Sequence, residues 1–224
     1  MTTTDGRSQG RRGGREILIP TQALILRFRI ELQDSDPLVW RAIEVPGDYT
    51  FWDLHVAIQD AMGWLDYHLH RFTLPHPRTR QERVFGIHNL SADCDDPPGW
   101  AHQIAALFTV RNATAVYLYD FGDGWRHTVR LVAMVRRDFT RPYPRCVAGE
   151  RACPPEDCGG IPGFSAIVTG LRTGNLDKET RAWLPQGYDP ARFDPGGVRF
   201  SNPARRLAYS WYGDPEAGEA PFGE

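Results

Sequence analysis

Residues 23–32 read Ala23-Leu24-Ile25-Leu26-Arg27-Phe28-Arg29-Ile30-Glu31-Leu32. From Arg27 onward apolar and polar residues alternate. Successive side chains of a strand point to opposite faces, so this pattern predicts a half-buried β-strand. The turn-rich Gln33-Asp34-Ser35-Asp36-Pro37 leads into Leu38-Val39-Trp40-Arg41-Ala42-Ile43-Glu44-Val45-Pro46, a second strand that so short a connection pairs antiparallel with the first. Thr50 with Asp53 three residues later predicts a capping box. Phe51, Leu54, Ile58, Ala61 and Met62 then recur at helical spacing up to Gly63. Tyr67-His68-Leu69-His70-Arg71-Phe72-Thr73-Leu74 reads as a third strand, which gives a β-β-α-β opening.

Outward from this opening the composition narrows the class. The chain has 224 residues, 41% hydrophobic and 24% charged, with 7 Trp, 8 Tyr and 11 Phe to fill a core, so global disorder is excluded. Gly (22) and Pro (18) are abundant, which predicts many turns and argues against a helical bundle. Lys+Arg of 26 against Asp+Glu of 28 gives a net charge of −2, so no overall basic field draws the chain to nucleic acid or membrane. No run approaches 18 apolar residues and the start lacks an apolar secretory segment. The expectation is a soluble, cytoplasmic protein with no membrane partner. Residues 1–20, with Arg7, Arg11, Arg12 and Arg15 among Gly, Ser and Gln, read as a disordered basic tail, and residues 212–224 as an acidic flexible one. The domain is expected over 21–211.

Residues 75–114 show little periodicity and read mostly as loop, with a short element near 101–109. A hairpin follows. With Asp123-Gly124 as its two loop residues, Leu118 faces Val129 and Asp120 faces His127; with Gly122-Asp123 instead, Leu118 faces His127. The first register is preferred because it makes one face apolar. Residues 138–163 read as a cysteine-bearing loop, and helical patterns follow at 163–173, 177–184 and 202–211. The order fits a single α+β domain with a mixed or mainly antiparallel sheet and C-terminal helices.

Several stretches then occur in a distinctive order: Gly63-Trp64 with His68-Leu69-His70, Tyr119-Asp120-Phe121-Gly122-Asp123-Gly124-Trp125-Arg126-His127, Tyr143-Pro144-Arg145-Cys146 through Cys153-Pro154-Pro155-Glu156-Asp157-Cys158-Gly159-Gly160, and Phe193-Asp194-Pro195. Over residues 23–210 the chain resembles the plasmid pRiA4b ORF-three-like family. The resemblance implies an α+β domain found on plasmids and mobile elements, some of whose members carry a transposon-resolvase label, with no established biochemical role.

Three groups of residues could carry chemistry. Cys146-x6-Cys153-x4-Cys158 offers three thiolates to a Zn2+ ion, with His127, Cys94 or Asp157 as a fourth ligand; the alternative is that these are small buried thiols. In the preferred register Asp120 lies beside His127 and would fix its tautomer, as a general base or a metal-ligating histidine requires; the alternative is a buried cross-strand pair next to Trp125. His68 and His70, two apart on one strand, would share a face and could share a metal or a ligand. Recombinase chemistry finds no support: the first 20 residues lack an ordered serine-nucleophile site, and His127 and Arg130 lie an odd number apart on a strand. Trp40, Trp52, Trp64 and Trp125 with Arg27, Arg29, Arg41 and Arg71 could bind nucleic acid but read more simply as core and solvated face. The first functional reading is therefore a non-enzymatic binding or accessory module of mobile-element origin, with a structural zinc and a protein or DNA partner. The alternatives are a metal-dependent enzyme built on Asp120 and His127, and a DNA-binding accessory protein using the basic tail.

Overall fold

The computed structural model describes residues 20–86 and 97–212. Cys94 and nearly all of both tails lie outside these residues. The first strand, β1 (Leu24–Leu32), alternates in burial as its sequence does and pairs antiparallel with β2 (Trp40–Pro46), with Phe28 opposite Ile43. Helix α1 (Phe51–Met62) begins at the expected capping box: Asp53 N–H donates to Thr50 Oγ1 at 3.2 Å while the Asp53 carboxylate accepts from Thr50 N–H at 2.8 Å. It stops at Gly63, whose φ of 90° is the left-handed conformation that glycine adopts without steric cost. The third strand, β3, runs His70–Pro75, giving the β-β-α-β opening.

The remaining strands are β4 (Glu82–Gly86), β5 (Thr114–Tyr119), β6 (Trp125–Arg136) and β7 (Arg145–Glu150). All seven form one antiparallel sheet in the order β4-β3-β5-β6-β1-β2-β7. Helices α2 (Gly160–Thr173), α3 (Lys178–Trp183) and α4 (Pro203–Tyr212) follow, and the architecture is a single α+β domain. Helix α1 packs on the face that presents Phe72 and Tyr117. Phe51 stacks on Phe85 at 4.4 Å between ring centroids and Phe28 meets Phe108 edge-on at 4.8 Å. The opposite face carries Glu44, buried beneath Arg27 and Arg145, both of which donate to its carboxylate. Among the described residues no helix is long and apolar enough to cross a membrane.

Three expectations are corrected. Strands β4 and β7 lie within stretches read as loop: both are edge strands, paired on one side only, and neither needs a strong two-faced pattern. The short element near 101–109 is two single 3₁₀ turns, Gly99–Ala101 and Ile104–Ala106. The β5–β6 hairpin adopts neither expected register: Tyr119 faces Trp125 and Tyr117 faces His127. Asp120 is the cause. At φ 53° it takes a left-handed conformation, its carboxylate accepts from Gly122 N–H at 2.8 Å and its carbonyl from Gly124 N–H at 2.7 Å. This Asx turn makes a five-residue connection, 120–124, where a two-residue Asp-Gly turn was expected, and Asp120 no longer faces His127.

Candidate metal centre

The segment between α1 and β3 positions the site. Its backbone is pinned at alternate residues: Leu65 N–H donates to Glu156 Oε1 at 2.7 Å, Tyr67 N–H to Tyr119 Oη at 3.1 Å, and Leu69 C=O accepts from Asp120 N–H at 3.0 Å. The chain bends at His68 before β3 begins at His70. The inward alternation of Asp66, His68 and His70 persists through the bend, as a shared side for the two histidines requires, but the two imidazoles enter different clusters.

The first cluster gathers around His68. Its Nε2 lies 3.0 Å from Asp157 Oδ1, 3.7 Å from Asp120 Oδ2 and 4.0 Å from Glu156 Oε2. That nitrogen is shielded from solvent, yet none of the three carboxylates meets it with hydrogen-bond geometry. His68, Asp120 and Asp157 offer ligand atoms that all lie within 4.8 Å of one another. Glu156 accepts from Leu65 N–H and from Tyr119 O–H (3.1 Å), and its partial burial raises its pKa above the usual carboxylate value. Burial and the neighbouring Glu156 push the Tyr119 phenol well up, so it stays a donor.

Helix α2 brings Glu156 and Asp157 to this place through glycine. A Cβ at Gly160 would stand 2.6 Å from Asp123 C=O, and one at Gly163 only 1.8 Å from Cys158 C=O. The start of α2 thus docks directly on the β5–β6 turn, where Gly159 N–H donates to Asp123 Oδ2 at 3.1 Å. Asp157, like Asp120, is left-handed, at φ 55°. The donor set is one imidazole and up to three carboxylates, which suits a divalent cation such as Mn2+ or Zn2+. Glu156 and Asp157 also line a cleft of about 570 Å³ whose other walls include Arg41, Trp64, Trp183 and Tyr188.

The second cluster lies under the sheet. His55 Nδ1 shares a hydrogen bond with Tyr117 Oη at 2.8 Å and His55 Nε2 one with Asp66 Oδ1 at 2.7 Å, while Gln59 Nε2 donates to Tyr117 Oη at 2.9 Å. The His70 ring stacks on His55 with centroids 3.4 Å apart and planes 7° apart. His55, Asp66 and His70 also offer ligand atoms within 4.8 Å of one another, but both nitrogens of His55 are already taken up by Tyr117 and Asp66, while His70 Nδ1 makes no hydrogen bond among the described residues. Burial, then the neighbouring His55, lower the pKa of His70 well below the ordinary histidine value and keep it neutral.

Of the sequence candidates, Asp120 and His68 are brought together, and Asp157 joins them although the sequence offered it to the cysteines. His127 is fully buried, edge-on to Trp64, with neither ring nitrogen hydrogen-bonded among the described residues. Burial lowers its pKa to about 4. Trp125 is fully buried beside it. Cys146, Cys153 and Cys158 are free thiols and are not gathered: no three ligand atoms from these residues and His127 lie within 4.8 Å of one another. Burial pushes the Cys158 thiol up to about 12 and raises Cys146 and Cys153 as well, which keeps all three protonated. Sequence reasoning passed over Glu156, Tyr119, His55, Asp66 and Tyr117. The one local signal among them is His55, a polar residue four after Phe51 on the apolar stripe of α1.

A family model described as plasmid pRiA4b ORF-3-like protein matches residues 24–196. The uncharacterized protein y4hQ of Sinorhizobium fredii is 30% identical over 175 residues, covering 75% of this chain and 86% of the relative. The crystal structure of MM3350 from Methanosarcina mazei Go1, a protein of unknown function, is 37% identical. It superposes with a TM-score of 0.73 over 79% of this chain and 98% of that one. The family match spans the sheet, the β5–β6 turn and the start of α2 that together form the His68 cluster, and this chain belongs to the plasmid pRiA4b ORF-3-like family.

Proposed function

We propose that the protein binds one divalent cation through His68, Asp120 and Asp157, with Glu156 alongside, and uses it in a metal-dependent reaction at the adjoining cleft. The observation that carries this reading is the surround of His68 Nε2: three carboxylates within 4.0 Å of a shielded nitrogen that makes no hydrogen bond. Carboxylates crowded at one point repel one another, and a cation placed among them removes that cost. His68 and Asp157 remain partly exposed, at 30% and 65%, which leaves coordination positions for water and substrate. A cation held this way would supply Lewis-acid chemistry, lowering the pKa of a bound water toward neutrality. Glu156, held by hydrogen bonds from Leu65 N–H and Tyr119 O–H, would be the carboxylate nearest such a water and could take its proton. The three pinned backbone positions hold His68 in place before any ion arrives.

A second reading keeps the protein non-enzymatic, with the cation, zinc included, as a staple. It is favoured by the origin of the ligands in three separate segments: residue 68, the β5–β6 turn at 120, and residues 156–157. Arg27 and Arg29 are engaged with Glu44 and Glu31, which leaves little of that face to a DNA partner. The free thiols accord with a cytoplasmic setting. Calorimetric titration of chelator-treated protein with Mn2+ and with Zn2+ tests the site. Saturable one-to-one binding that is lost in Asp120→Asn/Asp157→Asn supports it, and absence of binding by the folded wild-type protein overturns it. A metal-dependent hydrolytic rate separates the enzyme from the staple.

A further inference from the structure

Arg41 extends from β2 into the interior and is 1% exposed. Its Nε donates to Ala61 C=O at 2.8 Å, in the last turn of α1, and its Nη1 to Trp40 C=O at 2.8 Å and Glu150 C=O at 3.0 Å. Phe193 lies over the guanidinium at 3.6 Å, seated in the space left by Gly149, where a Cβ would meet its ring at 2.4 Å. Nη2 makes no hydrogen bond among the described residues, and no carboxylate among them forms an ion pair with Arg41. Its ionisable neighbours are Cys153, Cys146, Tyr188 and His127, all kept neutral by burial. A guanidinium taken out of water without a counter-charge is costly, and the carbonyls at the end of α1 offset only part of that cost. Yet Arg41 lines the same cleft as Glu156 and Asp157, together with the half-exposed ring of Trp183 and with Arg192, whose Nε pairs with Asp189 at 3.1 Å at the surface and whose remaining donors stay open to a ligand.

We infer that the cleft receives a small phosphate monoester bearing a flat ring, with its phosphate met by Arg41 Nη2 and Arg192 and its ring laid against Trp183. Guanidinium groups suit phosphate because their planar donors match its oxygens, and a cation at the carboxylate end would share the same charge. The inference names the ligand class of the cleft invoked above, but the arginine contacts need no metal.

The test titrates the full chain with adenosine monophosphate, and with adenosine alone, in the presence of a chelator and then of Mn2+, following tryptophan fluorescence. The monophosphate should bind about tenfold or more tighter than adenosine without metal, and Arg41→Met and Arg192→Glu should each weaken it by about tenfold. Arg192 is exposed and lies outside the core, so Arg192→Glu decides the matter if Arg41→Met does not fold. Equal affinity for the two ligands, or full affinity in Arg192→Glu, would overturn the inference and leave Arg41 as an internal tie between α1, β2 and β7. Monophosphate binding without any Mn2+ binding would uphold the anion site while removing the metal-dependent reading.

Discussion

The buried His55/Asp66/His70 cluster and the His68/Asp120/Glu156/Asp157 cluster use the same residue types and start from the same short segment, yet they are built to opposite ends. In the first, both nitrogens of His55 have a partner at 2.7–2.8 Å and His70 is stacked and neutral. Buried polar groups satisfied as His55 is stabilise a core and specify its packing. In the second, three carboxylates crowd one imidazole nitrogen and no hydrogen bond joins them to it. In the first, His55 has both nitrogens engaged by Tyr117 and Asp66, and only His70 Nδ1 and Gln59 Oε1 are left over in the interior among the described residues; in the second, the imidazole nitrogen and the carboxylates around it keep coordinating capacity at the edge of a cleft. Residue identity alone therefore does not mark a site. What distinguishes the two is whether the polar atoms have already found one another.

Four measurements break or sharpen this contrast. The largest effect is expected from Asp120→Asn/Asp157→Asn, which should weaken Mn2+ by about a hundredfold in calorimetry while the fold persists, since ligand deletion removes the charge that binds the ion. Next, acid should act on the buried histidines. His127 has its folded-state pKa lowered to about 4 against about 6.5 for an unfolded chain, and His70 is lowered as well. The unfolded chain therefore binds more protons below pH 6.5, and stability is lost as pH falls from 6.5 towards 4. His127 alone would account for roughly 3 kcal/mol of that loss. Urea unfolding at pH 7, 5.5 and 4.5 checks it, and His127→Phe should flatten the profile. Third, His55→Leu should cost about 2 kcal/mol by removing the imidazole's hydrogen bonds to Tyr117 and Asp66, which keep only Gln59 and Arg206 as partners among the described residues, with Mn2+ affinity changed less than threefold. A large loss of Mn2+ affinity in that variant would mean that the two clusters are one site. The smallest effect is expected from Gly160→Ala, whose left-handed φ of 68° and close approach to Asp123 should cost about 1 kcal/mol and weaken Mn2+ by a few-fold as α2 shifts.

What could be read in the sequence was what local physics decides. The alternation of Leu26, Phe28, Ile30 and Leu32 and the Thr50/Asp53 capping box lie within one element each, and both are present. The hairpin register turned on Asp120, whose side chain competes for turn amides in a way that an Asp-Gly dipeptide three residues later conceals. The metal candidates divided similarly. Asp157 and Glu156 sit beside cysteines in sequence, but their partners are His68 and Tyr119, some ninety and forty residues away, brought near by the glycine-permitted docking of α2. The cysteines drew attention through spacing, which states separation along the chain and nothing about whether thiols converge.

The pinned stretch from Leu65 to Leu69 has a consequence for sequence variation. Leu65, Tyr67 and Leu69 give their backbones to the three pins and turn their side chains outward, at 39%, 66% and 41% exposure, while Asp66, His68 and His70 work inward. The outward residues are free to change in kind. The number of residues is not, because one insertion or deletion between Gly63 and His70 would put the wrong amides against Glu156, Tyr119 and Asp120 and misplace histidines of both clusters together. Members of this family that keep both clusters should therefore tolerate substitution in this loop and reject any change in its length.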